Sequence, residues 1–357
     1  MWEQNIKEVI FMTEEQVLKR DCYFDNLKGV LIFIVVLGHF LSKMNNLDNS
    51  IVRTLYSYIY LFHMPLFILV SGYFSKKFKF IRVMDLLIVY MIFQFFIYPI
   101  GMALISGKII DFTWQSLVIP RYTYWYLLSL VVWKCITPIL PKNYIVLFIL
   151  LLISVIPSIT PGIDWRILSI GRTISFYPFF YFGYLIDKSK FTKIFLNVPK
   201  KICFIGIIVI NIICYIIFME KGITTKILHY KNHLINYIPD IKYIIIIKLL
   251  ILLLSILAMV FICSIIDKEN ETILTKWGQN TLIIYLVHGM IVKSMSIGLE
   301  SISQLSFILL SLVASYGICE LLSTQWSKKY IGMLTNISIY KYAKIQQINF
   351  KIKYINS

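Results

Sequence analysis

Apolar runs of about 20 residues, broken by short polar stretches, recur along almost the whole chain. About 20 apolar residues is the length an α-helix needs to cross a hydrocarbon core about 30 Å thick. Hydropathy windows predict ten such helices, roughly over 26 to 43, 55 to 75, 83 to 106, 122 to 140, 144 to 160, 169 to 187, 202 to 219, 243 to 266, 279 to 298 and 303 to 324. The longest polar stretches, the tail after Thr324 and a loop from Glu220 to Lys242, are too short to hold a second core. The expected architecture is therefore all-α, a polytopic integral membrane protein with about ten transmembrane helices in a single bundle. It divides into an N-terminal segment 1–25, a membrane domain 26–324 and a basic tail 325–357, without internal repeats or low-complexity linkers.

Composition agrees with that pattern. Of 357 residues, 59% are hydrophobic and 15% charged, with a mean hydropathy of +0.77, which excludes a soluble globular domain. The net charge of +17 would suggest nucleic acid in a soluble protein. Here the bases sit in loops, where topology and anionic lipid headgroups account for them, so no nucleic-acid partner is expected. An even number of crossings puts both termini on one side, and alternate loops on that side hold 21 basic residues against 11 opposite. By the positive-inside rule both termini are expected in the cytoplasm, with the bundle in the cell (plasma) membrane. The tail, with Lys328, Lys329, Lys341, Lys344, Lys351 and Lys353 among Ile and Tyr, reads as an amphipathic segment on the cytoplasmic leaflet. Residues 1–25 lack the apolar core and cleavage site of a secretory signal, so the first span is expected to be retained. Six scattered cysteines, without CxxC or a zinc-type Cys/His spacing, predict neither a disulfide framework nor a metal site.

Ionisable groups are costly in hydrocarbon, so each one in or beside a span is a functional candidate: Asp25, Lys28, His39, His63, Lys248, His288 and Glu320. His229 and His233 fall in an outer loop and read as solvated surface. Lys28 and His39 lie 11 positions apart, within about 20° of three full turns and about 16 Å along the axis, so they share one helix face. With Lys28 at the cytoplasmic interface, His39 reaches mid-membrane, and Asp25 is one turn before Lys28 and able to pair with it. Lys28 reads equally well as a snorkelling cation. His39 does not read as structural, because it stands beside Gly38, whose missing side chain admits a partner or ligand. His63 precedes Pro65 by two residues, where a kink is expected. Ser71 and Gly72 read first as a small pair for helix packing. Glu320 either faces the same cavity or pairs with Lys248.

These residues carry a resemblance. The run from Arg20 through Asp25 and Lys28 to Gly38-His39, followed by Phe62-His63-Met64-Pro65-Leu66-Phe67 and Val70-Ser71-Gly72-Tyr73, resembles acyltransferase family 3. More narrowly, it is similar to the branch typified by bacterial fucose 4-O-acetylases. Trp125-Tyr126-Leu127, Arg172 with Tyr177-Pro178-Phe179-Phe180 and Gly183-Tyr184, and Ile284-Tyr285-Leu286-Val287-His288 extend the likeness over about residues 20 to 300. Much of that family carries arginine where this chain has Lys28, and lysine offers charge without a bidentate fork.

The resemblance implies an O-acetyltransferase that moves an acyl group, usually acetyl, from cytoplasmic acyl-CoA to a sugar hydroxyl of a cell-surface polysaccharide such as capsule or exopolysaccharide, or of its precursor. Acyl-CoA is then a co-substrate, no cofactor is tightly bound, and membrane lipids are the remaining partners. Lys28, Arg20, Lys76 and Lys77 form the expected cationic patch for CoA phosphates. His39 is the expected general base, assisted by Lys28 and Asp25, with a covalent acyl-histidine as the variant. His63, His288, Ser71 and Glu320 are candidates for orienting the acceptor or supporting the site, and Trp125, Tyr126 and Arg172 for holding the sugar. For these last three an aromatic belt with an interfacial anchor is the competing reading. The rival function is a proton-coupled transporter or glycan-lipid flippase, since membrane histidines and a glutamate also build proton relays. Inverted repeats with interrupted helices would favour it, and the sequence shows none.

Overall fold

The structure, a computed structural model, describes residues 21–44, 50–107, 113–230, 234–238, 240–295 and 302–335. Among these every regular element is helical. The principal helices are α1 (Cys22–Leu41), α2 (Ser50–Tyr73), α3 (Phe80–Ile105), α4 (Trp125–Ile139), α5 (Tyr144–Ile159), α6 (Ile170–Leu185), α7 (Lys200–Glu220), α8 (Ile241–Ile265), α9 (Ile273–Gln279), α10 (Thr281–Ser294), α11 (Gln304–Leu322) and α12 (Gln325–Thr335). Each of the ten expected spans overlaps one of these. Among the described residues six helices (α1, α2, α3, α7, α8 and α11) are long and apolar enough to cross a membrane, and the expected count of about ten is not confirmed. α10, with 14 residues, is about 21 Å long, short of a full core.

Local chemistry sets the helix limits. Asn143 and Asp240 accept the amides of Val146 and Lys242 at the starts of α5 and α8, and Gly107, at φ 66°, closes the last turn of α3. Within α3, Phe93–Ile97 widens into a π-turn just before Pro99. That proline has no N–H to return to the carbonyl of Phe95, and the wider turn absorbs the loss. α1 starts at Cys22, inside the segment expected to precede the membrane domain, and α12 orders the start of the expected tail by packing on α10 and α3. Arg20, His233 and the tail lysines from Lys341 onward lie outside the described residues. α2 carries Pro65 within its length, Ser50–Tyr73.

α1 and α2 form the centre. Leu27, Leu31, Ile32, Val36 and Phe40 of α1, with Phe62, Leu66 and Leu69 of α2, are fully covered. α1 packs on α2, α9, α10 and α11, and α2 on α6, α7 and α8. The peripheral helices turn apolar side chains outward, Ile205, Ile208 and Ile212 on α7 and Leu249 and Leu253 on α8 among them, the surface that lipid covers. Two reciprocal glycine contacts set the closest approaches. A Cβ on Gly72 would lie 1.9 Å from the carbonyl oxygen of Phe180, and one on Gly183 2.0 Å from that of Leu69, so α2 and α6 touch backbone to backbone. Gly29 and Gly278 do the same for α1 and α9.

The loops gather alternately at two ends. At one end Asn26 donates to the carbonyls of Asp267 and Asn270 (3.2 and 2.9 Å) and accepts from Thr275, while Lys188 pairs with Asp21 at 3.2 Å. At the other, His229 meets Tyr56 and Arg172, and Lys43 donates to the carbonyl of Met295.

Replacing Gly72 with leucine should cost on the order of 3 kcal/mol or abolish folding, because backbone cannot yield as a side chain does. Gly317→Ala on α11, where an added Cβ meets nothing within 4 Å, should instead gain up to about 1 kcal/mol. Thermal unfolding in detergent measures both, and equal effects at the two positions would contradict the backbone contact.

Candidate active site

Two cavities flank the mid-plane of α1. The larger, about 370 Å³, opens at the His229 end and is lined by His39, Tyr60, His63, Trp125, Arg172 and His229 together with Ser42, Tyr56, Tyr122, Trp165, Arg166 and Ser169. The smaller, about 270 Å³, lies at the opposite end and holds Lys28, Lys134, Ser71 and Ser75 with Phe67 and Phe74. Met64 lines the first and Phe67 the second, so about 4.5 Å of α2, less than one turn, separates them.

Each helix contributes by its own periodicity. Tyr56, Tyr60 and His63 follow one another at intervals of four and three and so share one face of α2. Their rings stack in sequence, Tyr56 to Tyr60 at 4.1 Å and Tyr60 to His63 at 4.8 Å between centroids. His39, half-buried near the end of α1, lies 4.9 Å from the ring of Tyr122 and 5.3 Å from that of His288. Gly38 admits Tyr60, whose ring comes to 3.2 Å of where a Cβ would stand. The space beside His39 is thus filled by α2.

The histidines are held in defined tautomers. His63 Nδ1 is 2.7 Å from the carbonyl of Ile59, and His288 Nδ1 is 2.9 Å from that of Ile284, each four residues back on its own helix. A carbonyl only accepts, so both Nδ1 atoms carry the proton and both neutral rings present a bare Nε2. Nε2 of His288 is buried without a hydrogen-bond partner, on the ring that faces His39. Neither neutral ring can therefore donate from Nε2 to an oxyanion.

The wall between α4 and α10 is closed by two reciprocal bonds. Tyr124 donates to the carbonyl of Leu286 at 3.0 Å, and Tyr285 to that of Thr123. Gly289 leaves room for Tyr122, whose ring would lie 2.7 Å from an added Cβ. Tyr122 itself holds φ at 45° and Ser169, also in the cavity lining, at 54°, while Leu168 and Tyr230, the other described non-glycine residues at positive φ, each adjoin a lining residue in the chain. Each left-handed residue costs on the order of 1 kcal/mol, so this rim is held by its surroundings. The buried Gln94 is one such support, donating to the carbonyls of Ser116 and Ile119 (3.2 Å each) and accepting the amide of Arg121 at 2.8 Å.

The expected residues separate into three groups. His39, His63, Trp125 and Arg172 meet in the outer cavity, with His288 behind His39. Trp125 is buried beneath the guanidinium of Arg172 at 4.7 Å and stacks on Phe176, so it is not an interfacial belt residue. Lys28, paired with Asp25 at 2.6 Å, shares the inner cavity with Ser71. Tyr126 sits in the partition. Ser71 donates to the carbonyl of Phe67, so the Tyr126 hydroxyl donates to Ser71 at 2.6 Å, with its ring against Phe67 and Tyr285. The rest stand apart. Glu320 bonds Lys276 and Trp277 (2.6 and 2.7 Å), away from both Lys248 and the cavity. Lys248 donates to the carbonyl of Ser154 behind the cavity wall. Lys76 donates to the carbonyl of Ile186, where partial desolvation lowers its pKa, and both Lys76 and Lys77 are exposed.

Two members were not foreseen. His229, read from sequence as solvated surface, belongs to the cavity wall through its bond with Tyr56 and its carbonyl's bond from Arg172 (3.2 Å). Lys134 joins Lys28 in the inner cavity and donates to Ser75 at 2.8 Å. An unneutralised lysine inside an apolar run was the available signal for Lys134. For His229 there was none, since its loop reads as polar.

Residues 22–324 match the family described as an acyltransferase domain. Two curated relatives are both nodulation protein NolL, from Sinorhizobium fredii (48% identical over 59 residues) and from Mesorhizobium japonicum (42% over 59 residues). Each match covers 16% of this chain and 16% of the relative, so the chain spans only a sixth of the length of these proteins in alignment. No solved structure matches.

Replacing Gln94 with leucine leaves two carbonyls and an amide without partners, a cost of about 1–3 kcal/mol each where water cannot reach. The expected result is a lowered unfolding midpoint in detergent and faster proteolysis between residues 113 and 121. An unchanged midpoint would mean that other contacts hold this loop.

Proposed function

The chain belongs to this acyltransferase family and is a multi-pass membrane acyltransferase; from that premise we propose that it transfers an acetyl group from cytoplasmic acetyl-CoA to a sugar hydroxyl of a cell-surface polysaccharide or its precursor, with His39 as general base. The observation that carries this reading is the placement of His39 and Lys28 in two cavities separated by less than one turn of α2. Kinship to the fucose 4-O-acetylase branch rests on the motif residues alone.

In this reading the Lys28 end faces the cytoplasm, where the basic loops gather, and the ten helical segments alternate across the bilayer with both termini inside. Lys28 and Lys134 hold phosphates of CoA as point charges. Asp25 orients Lys28, and Lys76 and Lys77 add to the positive field at that end; Arg20, the other expected member of the patch, lies outside the described residues. The pantetheine arm follows α1 past Phe67 and Tyr126, and the Ser71–Tyr126 bond is the gate it parts. The thioester then reaches His39.

The acceptor sugar enters from the outer end, against Trp125 and Arg172. A neutral His39 accepts the hydroxyl proton as the sugar oxygen bonds to the thioester carbonyl carbon. The tetrahedral intermediate expels the thiolate, which takes the proton from His39, leaving an O-acyl sugar and CoA-SH. His288 acts as a positioning residue. Its bare Nε2 is unpartnered on the ring that faces His39, at 5.3 Å between centroids, and is the acceptor toward which the second N–H of His39 turns once His39 has taken the substrate proton. Tyr122, beside the His39 ring, is the hydroxyl donor placed for the oxyanion.

Purified protein in liposomes, supplied with radiolabelled acetyl-CoA and a glycan extract, should move label to glycan. His39→Ala should lower the rate by about 10²–10⁴ with CoA still bound, whereas Lys28→Ala should chiefly raise the KM for acetyl-CoA. Label transfer that survives His39→Ala would remove His39 from the mechanism. Folded protein that neither binds nor turns over acyl-CoA would remove the donor assignment.

A further inference from the structure

The outer cavity carries positive charge that acyl transfer to a neutral sugar does not need. Arg172 stands half-buried in its wall, stacked on Trp125 at 4.7 Å. Its one hydrogen bond to protein among the described residues runs from Nε to the carbonyl of His229 at 3.2 Å. The two terminal nitrogens, with four N–H groups, make no hydrogen bond to a described residue. No described carboxylate pairs with Arg172, and none of the residues lining the cavity is acidic.

The second arginine there behaves differently. Arg166 is neutralised on the spot by a bidentate pair with Asp164, at 2.8 Å on both oxygens. Ser169 also lines the cavity and precedes α6, and its side chain makes no capping bond, while the first turn of α6 has no acidic residue. The partial positive charge of that helix start therefore adds to the charge of Arg172. A cation withdrawn from bulk water without a counter-ion is costly, and an incoming anion relieves that cost. The phosphates of the donor do not meet this need, since they belong with Lys28 and Lys134 at the other end. The acetyl thioester itself is neutral.

We propose that the acceptor is an anionic glycan, carrying a carboxylate or a phosphate beside the hydroxyl to be acylated, and that Arg172 pairs with that anion. The proposal rests on the outer cavity's being the acceptor site. The planar guanidinium, fixed by Trp125 below and by the bond from Nε, presents its terminal nitrogens as a fork suited to either oxyanion. A carboxylate would come from an acidic sugar, a phosphate from a lipid-linked precursor.

Binding without any acyl donor separates this inference from the catalytic reading. Protein in nanodiscs of neutral phosphatidylcholine is titrated, by tryptophan fluorescence, with glucuronate against glucose and with farnesyl phosphate against farnesol. One anionic probe should bind about tenfold more tightly than its neutral counterpart, the gain of one charge-assisted pair. Arg172→Gln should erase that preference and Arg172→Lys keep part of it, with CoA binding at the other end unchanged in both as the check on folding. Preference for glucuronate assigns an acidic sugar, and preference for farnesyl phosphate a lipid-linked one. No preference for either anion, or an equal loss of anionic and neutral binding in Arg172→Gln, overturns the proposal. A protein that shows the preference but transfers no acyl group would leave the anion site standing and remove the chemistry assigned to His39.

Discussion

Within the hydrocarbon layer, water supplies no hydrogen bonds, so each buried polar side chain must find its partner in the protein. The nearest acceptor is the carbonyl four residues earlier on the same helix. Ser57, Ser71, Ser75, Thr173, Asn211 and Ser315 all bond in this way. The same local bond on His63 and His288 does more than satisfy a donor. It places the proton on Nδ1 and leaves Nε2 basic, so a rule of membrane helices becomes a statement about which atoms can accept a proton. The chemistry assigned to His39 and His288 depends on it.

The two cavities follow from a second constraint, the thickness of the partition between them. α1 carries Lys28 and His39 on one face at a separation about half the depth of the bilayer core. What closes the space between them is a short stack of Phe67, Tyr126 and Tyr285 with one hydroxyl pair. Side-chain rings turn more readily than backbone moves, and backbone is what meets at Gly72 and Gly183. α2 thus meets α6 through backbone, whereas side chains alone meet where the cavities approach each other.

Charge is handled differently from place to place. Lys28 has Asp25, Glu320 has Lys276, and Arg166 has Asp164. Lys248 has only a carbonyl and the face of Tyr230, behind the wall. In the outer cavity Arg172 combines a lining position with unbonded terminal nitrogens and no described acid beside it, as Lys134, bonded to Ser75, stands without an acid in the inner one. The contrast with Arg166, on the same rim, gives that observation its weight.

Much of the outline was legible in the sequence because it depends on local periodicity. The helical segments, the shared face of Lys28 and His39, and the small residues at the α2–α6 crossing all follow from spacing along one chain. Gly38 was expected to admit a partner or ligand, and the ring of Tyr60 on α2 takes that space, a choice that packing between helices makes. What only the tertiary structure decided were the meetings between distant segments. These are His229 over Tyr56, Lys134 beside Lys28, His288 behind His39, and Glu320 on Lys276 rather than Lys248. A hydrophobic pattern records which side of a helix avoids water, a property of each segment alone. Which loop closes over which helix end depends on long-range contacts that the pattern does not encode.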